Sequence, residues 1–359
     1  MQVDVIMPVR NGATWIAEAI RSLQHDSSAV GRIIVIDDGS TDDSAAIAGG
    51  MNENNKVFVV RRPPLGLVAA LNYGLRLATT PFVARMDADD LSLPGRLEAQ
   101  ARFLTDNPGV DVVGTQMTYI DARGLPLANQ TSYPDTSQSV ANALFAGRCV
   151  VSHPSVMMRR DTILAFDGYR SAFQASEDYD LWLRVAERGR ITNLPETYLR
   201  YRLHDAQTGE SNKLRQSFSR DLALLCSVER RKGNGDPLAG YSHAPDYDPA
   251  DPAFNGAPAI VQDLARAYRA INAMRAGAAI KTKDVSIMPQ LASFGLLGEG
   301  RRSRARILKR AFRCAVATRD WPSTLSTMGC LLRLRASRAP DGIMAARLMN
   351  ADYSVHHRR

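Results

Sequence analysis

The sequence predicts an α/β fold: a Rossmann-like, mostly parallel mixed sheet flanked by helices, with a mostly helical C-terminal region. Three observations predict it. Short β-branched runs alternate with helical stretches over roughly the first 200 residues, the pattern of βαβ units. Two of these runs end in acidic clusters, IIVIDDGSTDDS and FVARMDADD, and the carboxyl edge of an open α/β sheet is where ligands bind. Beyond about residue 205, strand-like runs vanish and helical spacing takes over.

Strands are expected at Val3 to Met7, Ile33 to Ile36, Val57 to Val60, Phe82 to Met86 and Val110 to Met117. Helices fill the gaps. Thr14 to Leu23 puts Ile16, Ala19, Ile20 and Leu23 on one stripe, and Leu65 to Ala78 does the same with Leu67, Leu71, Leu75 and Ala78. A further helix from Pro94 to Leu104 is opened by its proline and closed by Asn107-Pro108-Gly109. After the boundary near 205, Ile260 to Ala276 and Arg304 to Ala317 read as helices, the latter with Leu308, Ala311, Phe312 and Ala315 opposite its arginines. Between two helical stretches lies a loop from Lys232 to Pro258, rich in Gly, Pro and Asp. The expected domains are residues 1–205, with a ligand-binding half near 1–110 and a second half near 111–205, and a basic helical region over 206–359.

Composition excludes several classes. Hydrophobic residues at 45% and charged residues at 23% argue against a disordered or fibrous chain. No basic leader opens the sequence, and no later run approaches the roughly 18 apolar residues of a membrane span, so the expected location is cytoplasmic. Cys149, Cys226, Cys314 and Cys330 lie far apart without CxxC pairing, which predicts buried free thiols and neither a zinc knot nor a disulfide framework. The net charge of +8 is concentrated late, at Arg301, Arg302, Arg304, Arg306, Lys309, Arg310 and Arg313. Such a patch suits nucleic acid, an anionic membrane surface or a solvated helix face, and charge alone does not choose among them.

The acids carry the chemistry. Asp87 and Asp89 are two apart, so in extended backbone their side chains project to one side as a pair of hard oxygen ligands. That pair suits Mg²⁺ or Mn²⁺, which keep coordination positions for substrate phosphates. Asp38, at the earlier strand end, suits a nucleobase imide. Glu177 and Asp178 open an amphipathic helix with Leu181, Trp182, Val185 and Ala186 on its apolar face, Ser176 as its cap and Gly189 as its end. The helix dipole there favours an ionised Asp178, the state that a general base requires. The same residues also make ordinary caps. Arg202 and His204, two apart after a strand-like run, suit a diphosphate and a metal shell respectively.

Read in order, MPVRNG, VIDDGSTD, GLVAALNYGL, RMDADD, HPSVMMRR, FDGYR, SEDYDLW and YRLH resemble the motif series of family-2 inverting glycosyltransferases over residues 1 to about 210. The resemblance implies a glycosyltransferase type-A fold and transfer of sugar, most commonly from a UDP-sugar, with anomeric inversion. By position it implies Pro8 and Asp38 at the base, with Val9, Arg10 and Asn72 also in the donor-binding set. Asp87 and Ala88 would lie at the ribose side, Asp89 at the Mn²⁺ or Mg²⁺ with Asp87 and His204 assisting, and Arg202 at the diphosphate. Asp178 would be the base and Glu177 would orient the acceptor hydroxyl. Arg10 stands where relatives often carry an aromatic residue and Leu71 where they often carry arginine, so the donor stays open. The ARMDADD and LPGRLEAQ wording resembles bacterial exopolysaccharide and lipopolysaccharide-assembling members, which implies a glycan or lipid-linked acceptor, contact of the basic region with the inner membrane face, and no nucleic-acid partner. The rivals are a catalytically silent binding or scaffold protein and a nucleotidyltransferase. The latter lacks a glycine-rich GxGTR-like loop after the first strand, and no GxGxxG supports a dehydrogenase.

Overall fold

The structure, a computed structural model, describes residues 2–24, 26, 28–52, 55–173, 175–204, 210–243, 246–247, 256–275, 286–293, 296–297, 300–317 and 320–336. The chain divides into two compact units, Met1–Ala141 with Cys149–Gly209, and Asn142–Arg148 with Glu210–Arg359.

The first unit is a mixed sheet flanked by helices. Its parallel half comprises β1 (Val3–Val9), β2 (Val30–Asp38), β3 (Val57–Arg62) and β4 (Phe82–Arg85) in the order β3-β2-β1-β4. The β-branched runs set these positions, and β1 and β4 are buried along their whole length because neighbours and helices cover both faces. β1 and β2 run further than the apolar runs suggest, so Pro8 and Val9 pair with Ile36 and Asp37 and lie inside the sheet. Pro8 fits an inner strand because pairing to β4 stops at Ile6–Arg85, leaving no ladder position that needs its missing amide.

Past β4 the sheet changes direction. The run expected at Val110 to Met117 forms β6 (Val112–Ile120), but it does not extend the parallel half. β8 (Met157–Arg159) intervenes, antiparallel to both β4 and β6. β9 (Ile191–Arg202) then runs parallel to β6, the short β5 (Leu91–Ser92) closes the edge antiparallel to β9, and the exposed β7 (Pro126–Gln130) pairs with β6. β8 and β5 are three and two residues long, too short for a periodic signal.

Helix α1 (Ile16–Gln24) buries the expected stripe of Ile16, Ala19, Ile20 and Leu23. α2 (Ser44–Gly50) follows β2. In α3 (Leu67–Leu77) the expected Leu71 and Leu75 are buried, as is Ala78 at its end, while Leu67 is exposed and Val68, Ala70 and Gly74 widen the inward face. Gly74 lies against β1, where a Cβ would stand 2.5 Å from Ile6 Cγ2. α4 (Arg96–Asp106) begins after Pro94 and Gly95, so the proline precedes the helix and does not form its first turn. α5 (Ser137–Phe145) and α6 (Arg160–Ala165) are short, and α7 (Glu177–Arg188) ends at Gly189 as expected.

The second unit is helical among the described residues, with helices Glu210–Arg231, Ala259–Arg275, Met288–Ser293, Gly300–Ala317 and Trp321–Ala336. The expected inward residues Leu308, Ala311 and Ala315 are buried, with Phe312 half-buried. Ala276, the side chains of Arg301, Arg302 and Cys314, and much of the 232–258 loop lie outside the described residues. Of the thiols expected to be buried, Cys226 and Cys330 are, whereas Cys149 is half-buried. Among the described residues no helix is long and apolar enough to cross a membrane.

Because Ile6 is buried and β-branched, it yields poorly to an added methyl at Gly74. Overpacking of about 1–3 kcal/mol should outweigh the roughly 1 kcal/mol of helix propensity that alanine adds. Gly74→Ala is therefore expected to lower the unfolding free energy measured in urea.

Candidate active site

The sheet topology gathers motifs that lie far apart in sequence. Parallel β1, β2 and β4 all finish at the same edge, with Val9 beside Asp37 and Arg85 one step before Met86 and Asp87. β8 runs the opposite way, so its start lies beside the end of β4: Ala84 pairs with Met157, and the Arg85 amide donates to the Val156 carbonyl over 3.0 Å. The HPS turn at His153–Ser155 therefore lies next to the RMDADD loop. β9 brings its end to the same loop, where the Arg202 amide donates to Asp90 Oδ1 at 2.9 Å.

The first two motifs form a mutual brace. Asn11, at φ 56°, donates its amide to Ser40 Oγ, and its side-chain carbonyl accepts from the Thr41 amide at 2.8 Å. The Gly12 and Ala13 amides donate to Ser44 Oγ and Asp42 Oδ2. Asp38 lies in this frame with its carboxylate accepting from the Leu65 and Gly66 amides, at 2.8 and 2.9 Å, so it also anchors the entry to α3. Pro8 and Val9 are buried beneath and Arg10 is exposed.

Asp87, Asp89 and Asp90 each offer an oxygen within 4.8 Å of the others. Asp87 is gripped by the buried Arg85 guanidinium, with contacts of 2.7 and 2.5 Å. Burial raises the Asp87 carboxyl, with Arg85 opposing and Asp89 reinforcing the shift. Asp90 is fully buried and pushed well above the carboxylate range by burial and then by Asp87 and Asp89, and its Oδ2 has no hydrogen-bond partner among the described residues. His204 Nε2 stands 2.9 Å from Asp89 Oδ2, and its ring stacks on Trp15 with centroids 4.2 Å apart. Ala88 is buried between the acids.

Glu177 and Asp178 occupy the first turn of α7. Arg85 and Asp87 lie close enough to shift both, the former downward and the latter upward. Burial dominates. It raises Asp178 above the ordinary carboxylate range, against the Tyr179 amide that donates to its Oδ1 at 2.7 Å, so the ionisation expected from the helix dipole is opposed. Glu177 is pushed up to about 8 by burial and then by Asp178. It faces His153 Nδ1 at 3.6 Å, and burial and Arg85 hold that imidazole neutral. A protonated acid and a neutral imidazole make this contact polar rather than ionic. His153 Nε2 in turn lies 2.9 Å from the Tyr169 hydroxyl, and the ring meets the Trp182 edge. Ser176 stands at the cap position but makes no side-chain cap bond; its hydroxyl returns to the Ala175 carbonyl.

Two expected donor-binding residues, Arg202 and Asn72, are engaged with backbone. Arg202 is 1% exposed and braces backbone, with Nε donating to the Asp89 carbonyl at 2.7 Å and Nη2 bound to Glu18 at 2.7 Å. These contacts hold the acidic loop against β9 and α1. Asn72 clasps the Tyr169 backbone through its amide and its carbonyl, at 2.7 and 2.9 Å. That clasp explains the FDGYR motif: Gly168 has φ 60°, and a Cβ there would stand 2.5 Å from Asn72 Oδ1. Arg170 and Arg184 then pin the loop to α7 through buried Asp180.

Sequence reasoning missed Arg85, Asp90, His153, Tyr169 and Trp15 as site residues. Arg85 and Asp90 stand inside RMDADD and His153 opens HPSVMMRR, so position within a motif was a usable signal. Tyr169 stands inside FDGYR and shares that signal, whereas Trp15 carries none, because only the folded chain sets it beside His204.

The mixed sheet with acids gathered at its carboxyl edge has the architecture of the glycosyltransferase type-A fold. The family model described as glycosyl transferase family 2 matches residues 4–164. The chain is 32% identical over 216 residues to the O-antigen biosynthesis glycosyltransferase WbnJ of Escherichia coli, covering 58% of this chain and 82% of that protein. It is 35% identical over 247 residues to the putative glycosyltransferase EpsE of Bacillus subtilis, covering 67% and 85%. The chain belongs to glycosyl transferase family 2. Among solved structures, S. aureus TarS 1–349 superposes with a TM-score of 0.55 over 93% of this chain and 91% of that one; at 16% identity the likeness speaks for the fold.

Glu177 also sets a pH dependence. A carboxyl whose folded pKa of about 8 exceeds the ordinary 4.5 binds more protons when folded, so its contribution to stability is present at low pH and is lost as pH rises between those values. Glu177→Gln removes the titrating group. The unfolding midpoint of the variant, relative to wild type, should therefore climb as pH rises from 5 to 8; a constant difference would refute the raised carboxyl.

Proposed function

We propose that this enzyme transfers a sugar, with anomeric inversion, from a nucleotide diphosphate donor to a hydroxyl of a glycan or lipid-linked acceptor in cell-surface polysaccharide synthesis. One observation carries the reading: the Asp87, Asp89 and Asp90 oxygens cluster at the carboxyl end of β4, within electrostatic reach of Glu177 and Asp178 on α7. Matches to proteins named for O-antigen and amylovoran biosynthesis support the pathway class. UDP-sugars are the first donors to test, because the TarS fold was solved with UDP and with UDP-GlcNAc.

The acidic cluster fits a hard divalent cation. Its donors are carboxylate oxygens and one imidazole, and the unpartnered, buried Asp90 Oδ2 is the kind of atom a ligand would satisfy. Asp87, Asp89 and Asp90 would hold Mn²⁺ or Mg²⁺ with His204 beside Asp89, and the ion would neutralise charge on the diphosphate.

The chain's own groups do the rest. Asp178 takes the proton of the acceptor hydroxyl as that oxygen attacks the anomeric carbon. Its raised pKa improves it as a base while leaving it weaker as a permanent anion. Glu177, protonated near neutral pH, donates a hydrogen bond that orients the acceptor, and His153 holds that carboxyl in place. The brace of Asn11, Ser40 and Asp38 shapes the donor pocket beside Pro8, Val9 and Arg10, and Ala88 lets the ribose approach. A nucleotidyltransferase gains nothing from the structure, and a silent binding protein would have no use for a buried Glu177 beside a half-buried Asp178 at the start of α7.

Asp178→Asn should lower transfer by about 100- to 10,000-fold, the weight of a general base, while calorimetric donor affinity stays near wild type. Undiminished turnover would exclude Asp178 as the base. Asp89→Ala should abolish stimulation of transfer by added Mn²⁺ or Mg²⁺; an unchanged metal response would remove Asp89 from the ion site.

A further inference from the structure

The His204 ring is held from one nitrogen only. Its Nε2 stands 2.9 Å from Asp89 Oδ2, whereas its Nδ1 is buried and has no hydrogen-bond partner among the described residues. A metal-binding histidine is ordinarily aimed by a carbonyl or carboxylate on its second nitrogen, which stops the ring from swinging about the first. His204 lacks that second hold. Its side chain is only 9% exposed, and the Trp15 indole lies on one face of the ring, with centroids 4.2 Å apart and planes 29° from parallel.

Trp15 is itself fixed at both ends. Its backbone closes the turn into α1, where the Trp15 amide donates to the Gly12 carbonyl at 3.1 Å and the Trp15 carbonyl accepts from the Ala19 amide at 3.0 Å. Gly12 is held in turn by Ser44 Oγ, so the indole is rooted in the brace between the first two motifs. At the far rim, Nε1 donates to the Ala122 carbonyl at 3.2 Å, in the turn between β6 and β7. Arg202 Nη1 reaches the same carbonyl at 3.3 Å while its Nε holds the Asp89 carbonyl at 2.7 Å, which ties that turn to the acidic loop. A ring secured by its backbone and by its rim presents a face of fixed direction, and stacking on that face sets the tilt of the imidazole.

We propose that Trp15 is a positioning residue for the divalent cation: its indole face fixes the tilt of the His204 ring and, through that ring, Asp89 Oδ2, so that imidazole and carboxylate are set before the ion arrives. The inference deepens the reading of Asp87, Asp89 and Asp90 as a Mn²⁺ or Mg²⁺ site and rests on it. Trp15 offers the ion no ligand atom, since its indole nitrogen carries a proton and donates it to Ala122. It acts through His204. An aliphatic side chain would fill the same space but leave the imidazole to rotate about its contact with Asp89, and a ligand that must be ordered on binding holds its ion less tightly than one ordered beforehand.

The test measures binding of Mn²⁺ alone to the full chain, through the electron paramagnetic resonance signal of the unbound ion. Wild type and Trp15→Phe, which keeps a ring face and loses the bond to Ala122, should bind Mn²⁺ with similar affinity. Trp15→Leu and Trp15→Met keep apolar bulk without the face, and should weaken binding by about 10- to 100-fold, the usual weight of a group that orients a ligating histidine. Urea unfolding without metal shows which variants are folded, and a packing role alone would lower stability while leaving the affinity of the folded protein unchanged. In a His204→Ala background the same changes should cost nothing more, because their effect passes through the ring. Wild-type affinity in a folded Leu or Met variant would overturn the proposal, as would a further loss in the His204→Ala background. In both of those cases wild type still binds Mn²⁺ and the acidic cluster keeps its role; no binding by wild type would instead overturn the cation site and this inference with it.

Discussion

The buried ion pair between Arg85 and Asp87 is the constraint on which the site depends. Three acids at the end of β4 and two more at the start of α7 converge on one edge of the sheet, an arrangement that mutual repulsion and desolvation both oppose. A buried guanidinium in two-point contact with Asp87 makes it tolerable. Arg85 also lowers Glu177 and Asp178, and it helps to keep His153 neutral. A buried pair of this kind is weak as a device for stability, since apolar groups of the same volume often do as well. Its value lies in holding several carboxylates close together, which chemistry on a phosphorylated donor needs.

Arg96 supports the same place from below. Fully buried and held down to about 10 by its desolvation, it donates to the carbonyls of Arg85 and Pro154 and so ties the end of β4 to the HPS turn. Arg202 completes the scaffold by fastening the DADD loop to β9 and, through Glu18, to α1. Arginine suits these roles because one rigid fork reaches several backbone carbonyls at once. The motif residues thus divide into those that face the cleft and those that hold its walls, with Asn72, Asn11 and Arg202 in the second group.

Chain direction in the sheet decides which motifs meet. A wholly parallel continuation would have carried HPSVMMRR to the far edge, away from the acids. Antiparallel β8 returns its start to the end of β4, and parallel β9 then delivers Arg202 and His204 beside Asp89 and Asp90. The change from parallel to mixed pairing is therefore what brings the later motifs to the edge of a Rossmann-like half-sheet where the acids lie.

Much of this was legible in the residues alone. β-branched runs ending in acids located β1 to β4 and the edge that bears the site, because strand period and burial on both faces leave a direct imprint on composition. The stripe of Ile16, Ala19, Ile20 and Leu23 did the same for α1, and the motif order identified the family. The close approach of α3 to β1 at Gly74, the insertion of β8 and the backbone contacts of Arg202 and Asn72 were not legible. Each depends on contacts across long separations, such as Gly74 on Ile6 or Asn72 on Tyr169, and a local pattern cannot encode which distant group will arrive. The sequence by itself determined the carboxylates and the strands that carry them. Tertiary structure decided their protonation and which of the neighbouring polar groups face the cleft, because burial and distant charges set both.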